Sequence, residues 1–309
     1  MMTQITEETF EQMLQYLLNS STFIGLKDAA FIDPYGMVGI LETGELLKSK
    51  GIRKSLQLPQ SEDVLKYLER MDFFRFAEDY FDIEFSNPPA HSFAKAGNSL
   101  TPPLKNRELA GLLGQKYLRS NYSDVLLEIT PIESSDDIHF IVGKVKDHAK
   151  SILTKHLHYN DRTINGFIVA LSEVCQNIIE HSENKGFVGI QKYHFNSLNK
   201  NVVKIAVMDI GVGFRKSLSD RFPIKDDMQA IENALLHSAS RHADEGRGHG
   251  LAAVRRFVNQ WNGKLSIRSG TARFSIIPPW ARGKEKEATL SGFPGAQISI
   301  LLPETESTM

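Results

Sequence analysis

"LSEVCQNIIEHS", Leu171 to Ser182, is the stretch on which the reading of this chain turns. Leu171, Val174, Cys175 and Ile178 recur at helical spacing, so one side of the segment is suited to a core. Cys175 falls among these apolar residues and reads as a small core side chain. Yet Glu173, Asn177 and His181 stand at i, i+4 and i+8. On a regular helix that places a carboxylate, an amide and an imidazole on one stripe. A carboxylate so placed can act as a general base toward a water or hydroxyl. An amide oxygen one turn along is a neutral hard ligand for Mg2+, which keeps waters and phosphate oxygens as its other ligands. The plainer alternative is a solvated helix face, and for this stretch alone it is the favoured one.

Two further pieces change the balance. "VMDIGVGF", Val207 to Phe214, ends an apolar strand pattern with Asp209, Gly211 and Gly213. An ionised carboxylate only accepts hydrogen bonds, which suits an exocyclic amine such as that of adenine. The glycines allow close approach of backbone to a ligand, although a strand ending in an Asp-Gly turn needs no ligand to explain it. "EGRGHGLAAV", Glu245 to Val254, alternates Gly246, Gly248 and Gly250 before a helix pattern. Free N–H groups and the positive end of a helix suit phosphate. The spacing is neither that of a Walker loop nor that of a dinucleotide fingerprint.

In this order the three pieces resemble the ATP-binding domain of the GHKL superfamily, that of gyrase, the large heat-shock chaperones, histidine kinases and mismatch-repair ATPases. "SEVCQNIIEHS" resembles the N box, "DIGVGF" the G1 box and "GRGHGL" the G2 box, while "NGKLSIRSG" and "PGAQISILLP" are similar to the closing strands. The likeness spans Ser123 to Pro303, and the form S-E-x-x-x-N-x-x-x-H is nearest to the anti-sigma-factor serine kinases. The resemblance implies a two-layer α/β sandwich that binds ATP and Mg2+. It implies Glu173 as general base, Asn177 as the Mg2+ ligand and Asp209 as the adenine contact. Gly211 and Gly213 would shape the adenine pocket. Gly246, Gly248 and Gly250 would border the phosphates, with His249 and Leu251 in the same nucleotide-binding segment. Arg241 and Arg247 would reach toward phosphate, and Phe214 to Glu245 would form a lid. Two positions depart from the pattern. Glu180 stands where histidine kinases often carry a base, and Ala296 stands where a Thr is common.

The first half reads differently. "DPYGMVGILETGELLKSKG" has Pro early and Gly late, as a helix from Pro34 closed by Gly51 should. "TFIGLKDAAFI" before it and "RKSLQL" after it read as strands, and "SEDVLKYLERMDFF" as one helix started by Ser61. This alternation is α/β, and Thr22 to Phe85 resembles a STAS domain, the fold of anti-sigma-factor antagonists. Where those antagonists carry a phosphorylatable Ser, this chain has Asp33-Pro34-Tyr35-Gly36. The domains expected are therefore 1–85, STAS-like α/β; 86–122, a linker rich in Pro, Ser, Gly and Asn followed by a connecting helix; and 123–309, the ATP-binding sandwich.

The bulk composition is that of a soluble globular protein: 309 residues, 41% hydrophobic, 24% charged, net charge −1. That balance supports neither a nucleic-acid track nor a membrane surface. No apolar run approaches the roughly 18 residues of a spanning helix. A single cysteine, together with an acidic N-terminus, suggests a cytoplasmic location. The expected function is a slow Mg-ATP-dependent ATPase switch whose lid closure controls a protein partner. The alternatives are a serine/threonine kinase acting on a separate protein and a non-catalytic, ATP-stabilised scaffold. The reading expects ATP and a regulatory protein as partners and leaves a homodimer open.

Overall fold

The computed structural model describes residues 3–18, 22–84, 124–196, 198–236, 250–281 and 287–305. The chain divides into two compact units, Met1–Tyr122 and Ser123–Met309. The linker and connecting helix expected over 86–122 lie outside the described residues.

In the first unit, β1 (Gln4–Ile5) and β3 (Phe31–Ile32) form a short parallel pair. A parallel three-stranded sheet runs in the order β2 (Phe23–Gly25), β4 (Lys54–Gln57), β5 (Phe81–Glu84). The single strand expected from "TFIGLKDAAFI" is therefore two, in different sheets. The chain turns between them, with the Ala29 N–H bonded to the Leu26 carbonyl. Helix α1 spans Phe10–Leu18, and α2 spans Pro34–Ser49. Asp33 caps α2 by accepting from the Gly36 N–H at 2.8 Å. Gly51 leaves α2 at φ +69°, the left-handed conformation that ends helices. The expected helix from Ser61 is also two, α3 (Glu62–Arg70) and α4 (Phe73–Tyr80). Asp72 breaks the run at φ 59°.

The second unit is built on a five-stranded antiparallel sheet in the order β6-β7-β8-β10-β9. The strands are β6 (Val125–Ile132), β7 (Gly186–Phe195), β8 (Lys200–Asp209), β9 (Lys264–Ile276) and β10 (Glu287–Pro303). "KLSIRSG" and "ARFSII" each have the apolar alternation of a strand and meet at Gly270-Thr271. They are one, because Gly270 at φ +59° lets β9 continue opposite an irregular register in β10 between Thr289 and Ala296.

The helices are α5 (Ser135–Lys144), α6 (Lys150–Leu157), α7 (Asp161–Asn177), α8 (Gly213–Ser219), α9 (Asp227–Leu236) and α10 (Gly250–Gln260). Alternate strand residues such as Val203, Ile205, Val207, Ile267, Ile298 and Ile300 join Leu171, Val174, Leu251 and Val254 in one buried cluster. Val202, Ala206 and Met208, on the opposite side of β8, are buried too.

Candidate functional site

The stretch Leu171–Ser182 carries two kinds of helix. Asn160 starts α7 by accepting from the Thr163 N–H at 2.9 Å. Regular α geometry ends at Asn177, and Ile178–Ser182 form a π turn. Such turns are rare and frequent at functional sites. The strict i, i+4, i+8 stripe therefore holds for Glu173 and Asn177 but not through His181, which lies in the π turn and whose side chain is not among those described. The apolar side of the segment is buried as expected: Leu171, Val174, Cys175 and Ile178 are all core. Burial pushes the Cys175 thiol up to about 12, so it stays protonated and unreactive. Glu180 accepts from the Gln176 amide at 2.9 Å.

Strand β8 delivers Asp209 to the mouth of the sheet, 3% exposed. Its Oδ1 accepts from the Gly211 N–H at 2.7 Å. Desolvation pushes this carboxyl up to about 7, although the N–H groups of Gly211 and Ala296 and the Ser182 hydroxyl pull the other way. The glycines around it are demanded by space. A Cβ on Gly211 would sit 1.9 Å from the Ser182 carbonyl oxygen, which itself accepts from the Val212 N–H at 2.9 Å. Gly213 takes φ +72°, and a Cβ there would meet Ser269 Oγ at 2.8 Å.

A cleft enclosing about 380 Å3 of space, part of it open to solvent, lies between the end of α7 and the sheet. Asn177, Asp209 and Gly213 line it, with Ser182, Ser217 and Ala296 as further small residues and Val174, Val207, Phe214 and Ile298 among the apolar ones. An apolar cleft with a few convergent polar groups is the usual form of a small-ligand site. Asn177 donates from Nδ2 to the Glu173 carbonyl at 2.8 Å, which turns its oxygen away from that carbonyl. Glu173 stands beside the start of α10: a Cβ on Gly250 would be 2.7 Å from Glu173 Oε2 and 3.7 Å from Asn177 Nδ2. Glu173, Asn177 and Gly250 are thus neighbours, and Asn177 links them to the cleft that holds Asp209. Leu251 is 5% exposed and belongs to the core, so only its backbone could meet a ligand. Arg241, Gly246, Arg247, Gly248 and His249 lie outside the described residues.

The stretch expected to form a lid from Phe214 is, in its first part, core structure. Phe214, Leu218, Ala230, Ile231, Ala234 and Leu235 of α8 and α9 are all buried in the main cluster. Sequence reasoning also missed several residues around the cleft. Ser182 and Ser217 face it, and Ser269 accepts from the Phe214 N–H at 3.1 Å while donating to the Gly295 carbonyl at 2.7 Å. Arg268 and Gln297 were visible only as polar residues interrupting apolar strands. Their burial, 1% and 0% exposed, is what singles them out.

Among the described residues no helix is long and apolar enough to cross a membrane. None of them form a cluster of three or more His, Cys, Asp or Glu that could hold a metal by itself. No curated protein matches the chain closely enough to serve as a relative. Residues 164–304 match the family model described as histidine kinase-, DNA gyrase B-, and HSP90-like ATPase, so the greater part of the second unit is similar to ATPase domains of that kind.

Proposed function

We propose that the second unit binds Mg-ATP in the cleft beneath α7 and hydrolyses it slowly, as a switch read by a protein partner. The single observation that carries this reading is the convergence of two carboxyl groups and an amide. Asp209 and Asn177 line the cleft, and Glu173 lies close to Asn177 and Gly250 at the start of α10. A base, a triphosphate with its cation, and a water to be activated call for groups of these kinds close to one another. Asp209 would accept from the adenine amine, with the buried carboxylate favouring a donor over a second acceptor. Gly211 and Gly213 keep side chains out of the adenine space. Gly250 opens α10, whose N–H groups and dipole suit phosphate oxygens.

The donor set fits Mg2+. Asn177 offers a neutral amide oxygen, and this cation takes most of its ligands from phosphate and water. The bound ion would neutralise phosphate charge, and Glu173 would take a proton from the attacking water. In the first unit, a STAS-like role would be one of docking rather than of phosphate acceptance. Tyr35, at the place where a phosphorylatable Ser would stand, is 3% exposed and stacks edge-on against Phe10 at 5.4 Å.

The test uses γ-labelled ATP with Mg2+ and separates bound nucleotide, free phosphate and protein-linked phosphate. Glu173→Ala should keep ATP binding and lose free phosphate release by about 100-fold or more. Label transferred to a protein acceptor would replace the ATPase reading with that of a kinase. ATP bound by the wild type without phosphate release would leave a non-catalytic scaffold, and turnover unaffected by Glu173→Ala would remove that residue from the role of base.

A further inference from the structure

Behind the cleft, on the side of the sheet away from α7, two buried polar side chains face each other. Gln297 and Arg268 are directly paired across β10 and β9, and Gln297 is paired with Met208 across β10 and β8. By strand alternation these residues point away from Asp209, Ala296 and Ile298, which face the cleft. Arg268 Nη1 donates to Gln297 Oε1 at 3.1 Å and to the Gly270 carbonyl at 3.3 Å. Its Nη2 donates to the Ser291 carbonyl, and its guanidinium lies over the Phe293 ring at 5.4 Å. Gln297 Nε2 donates to the Asp209 carbonyl at 3.0 Å and to the Pro294 carbonyl at 2.8 Å.

The orientation of this amide is dictated by chemistry. A guanidinium only donates, so the Gln297 oxygen must face it, and both Nε2 hydrogens are then aimed at the two carbonyls. The pair holds two things together: the end of β8, where Asp209 sits, and the irregular turn of β10 at Pro294–Ala296. That turn is tight against Asp209. Gly295 has φ +76°, and a Cβ there would be 2.1 Å from the Asp209 carbonyl oxygen and 2.6 Å from Oδ1. The turn also brings the Ala296 N–H to the Asp209 carboxyl. Irregular strands near sites re-aim side chains in this way, and carbonyls freed by the irregularity need buried donors.

We propose that Arg268 and Gln297 are positioning residues that aim the Asp209 carboxyl, and thereby set the discrimination in favour of a purine bearing an exocyclic amine. This rests on the nucleotide reading above. Neither residue touches the nucleotide; both act through the backbone of Asp209 and the 294–296 turn. Gln297→Glu is the sharpest perturbation, because it keeps the shape and the Arg268 contact but sets an oxygen against two carbonyl oxygens.

The experiment measures, on the full chain by calorimetry, the Kd of ATP and of purine riboside triphosphate, which lacks the amine. Wild type should bind ATP about tenfold more tightly, the scale of one hydrogen bond to a charged group. Gln297→Glu should reduce that ratio to about twofold, with the purine riboside triphosphate Kd changed by no more than about twofold. Should Gln297→Glu fail to fold, Gln297→Met, which retains bulk without donors, is expected to lower the ratio in the same direction. Arg268→Lys should do so as well, since a point donor cannot replace the fork. An unchanged ratio, or equal weakening of both nucleotides, overturns the assignment and leaves the pair a purely structural one. Wild type that binds neither nucleotide overturns the ATP reading itself and this assignment with it, and the wild-type arm alone identifies that case.

Discussion

Asp209 has one property that makes its role measurable. Burial lifts its carboxyl to about 7 from a reference of 3.8, so near neutrality it is only partly ionised. An amine donor favours the ionised form. ATP should therefore bind more tightly as pH rises through about 7, with affinity falling by up to tenfold per pH unit below it. Calorimetry in buffers spanning pH 5.5 to 8.5 checks this, and Asp209→Asn should flatten the profile. The folding linkage has the opposite sign to that of a salt-bridged aspartate. Between 3.8 and about 7 the folded chain holds a proton that the unfolded chain has lost. Stability from this group is thus complete below that window and is lost as pH rises through it. Glu173 is tested through its neighbour. In Gly250→Ala the new methyl meets Glu173 Oε2 at 2.7 Å. The clash is with a flexible side chain rather than with backbone, so stability should change by no more than about 1 kcal/mol. On the proposed role of Glu173 as general base, ATP turnover should still fall by about tenfold or more through lost alignment; a melt and a phosphate-release assay together separate the two effects.

Among the elements, the junction between the π turn Ile178–Ser182 and the end of β8 carries the most constraint. The Ser182 carbonyl accepts from the Val212 N–H and lies where any side chain on residue 211 would go. Gly211→Ala must push backbone against backbone, so it should cost about 1–3 kcal/mol. Because the same shift moves the Gly211 N–H away from Asp209, ATP affinity should fall with it. Thermal melts with and without nucleotide read both. This junction was half legible in sequence. The glycines announced a close approach, but the partner of Gly211 is a carbonyl nearly thirty residues upstream in chain order, set by the pairing of β7 with β8. In the same way the break between α3 and α4 was not readable, since the apolar spacing from Val64 to Phe74 continues across Asp72 and only its left-handed conformation interrupts it.

At the scale of the whole molecule, the cluster that joins the five-stranded sheet to its helices is drawn entirely from residues between Leu126 and Leu302. A core of that extent suits an independently folding domain. A fragment beginning at Ser123 should then fold and bind ATP with a Kd within about threefold of the full chain. An aggregated or nucleotide-blind fragment would show instead that the first unit is needed for the site. The first unit contributes a different kind of information. Its Tyr35 is buried and its α2 is capped by Asp33, so no phosphate label is expected at that turn when the chain is assayed.

By itself the sequence determined the helix that carries Glu173 and Asn177, the strand that ends at Asp209, and the glycines that keep space open between them. These follow from local rules, because periodicity, caps and turn residues act over a few positions. Only the tertiary structure decided that β9 runs unbroken through Gly270, that the face of the sheet behind the cleft is buried, and that Arg268 and Gln297 meet there. Those outcomes depend on which strands pair and in what register, and a charged side chain becomes a buried one only when partners distant in sequence supply its hydrogen bonds. Ala296 shows the difference in a single residue. In sequence it is a missing hydroxyl. In the fold its N–H reaches the Asp209 carboxyl, because the turn at Gly295 brings backbone to a place where no side chain would fit.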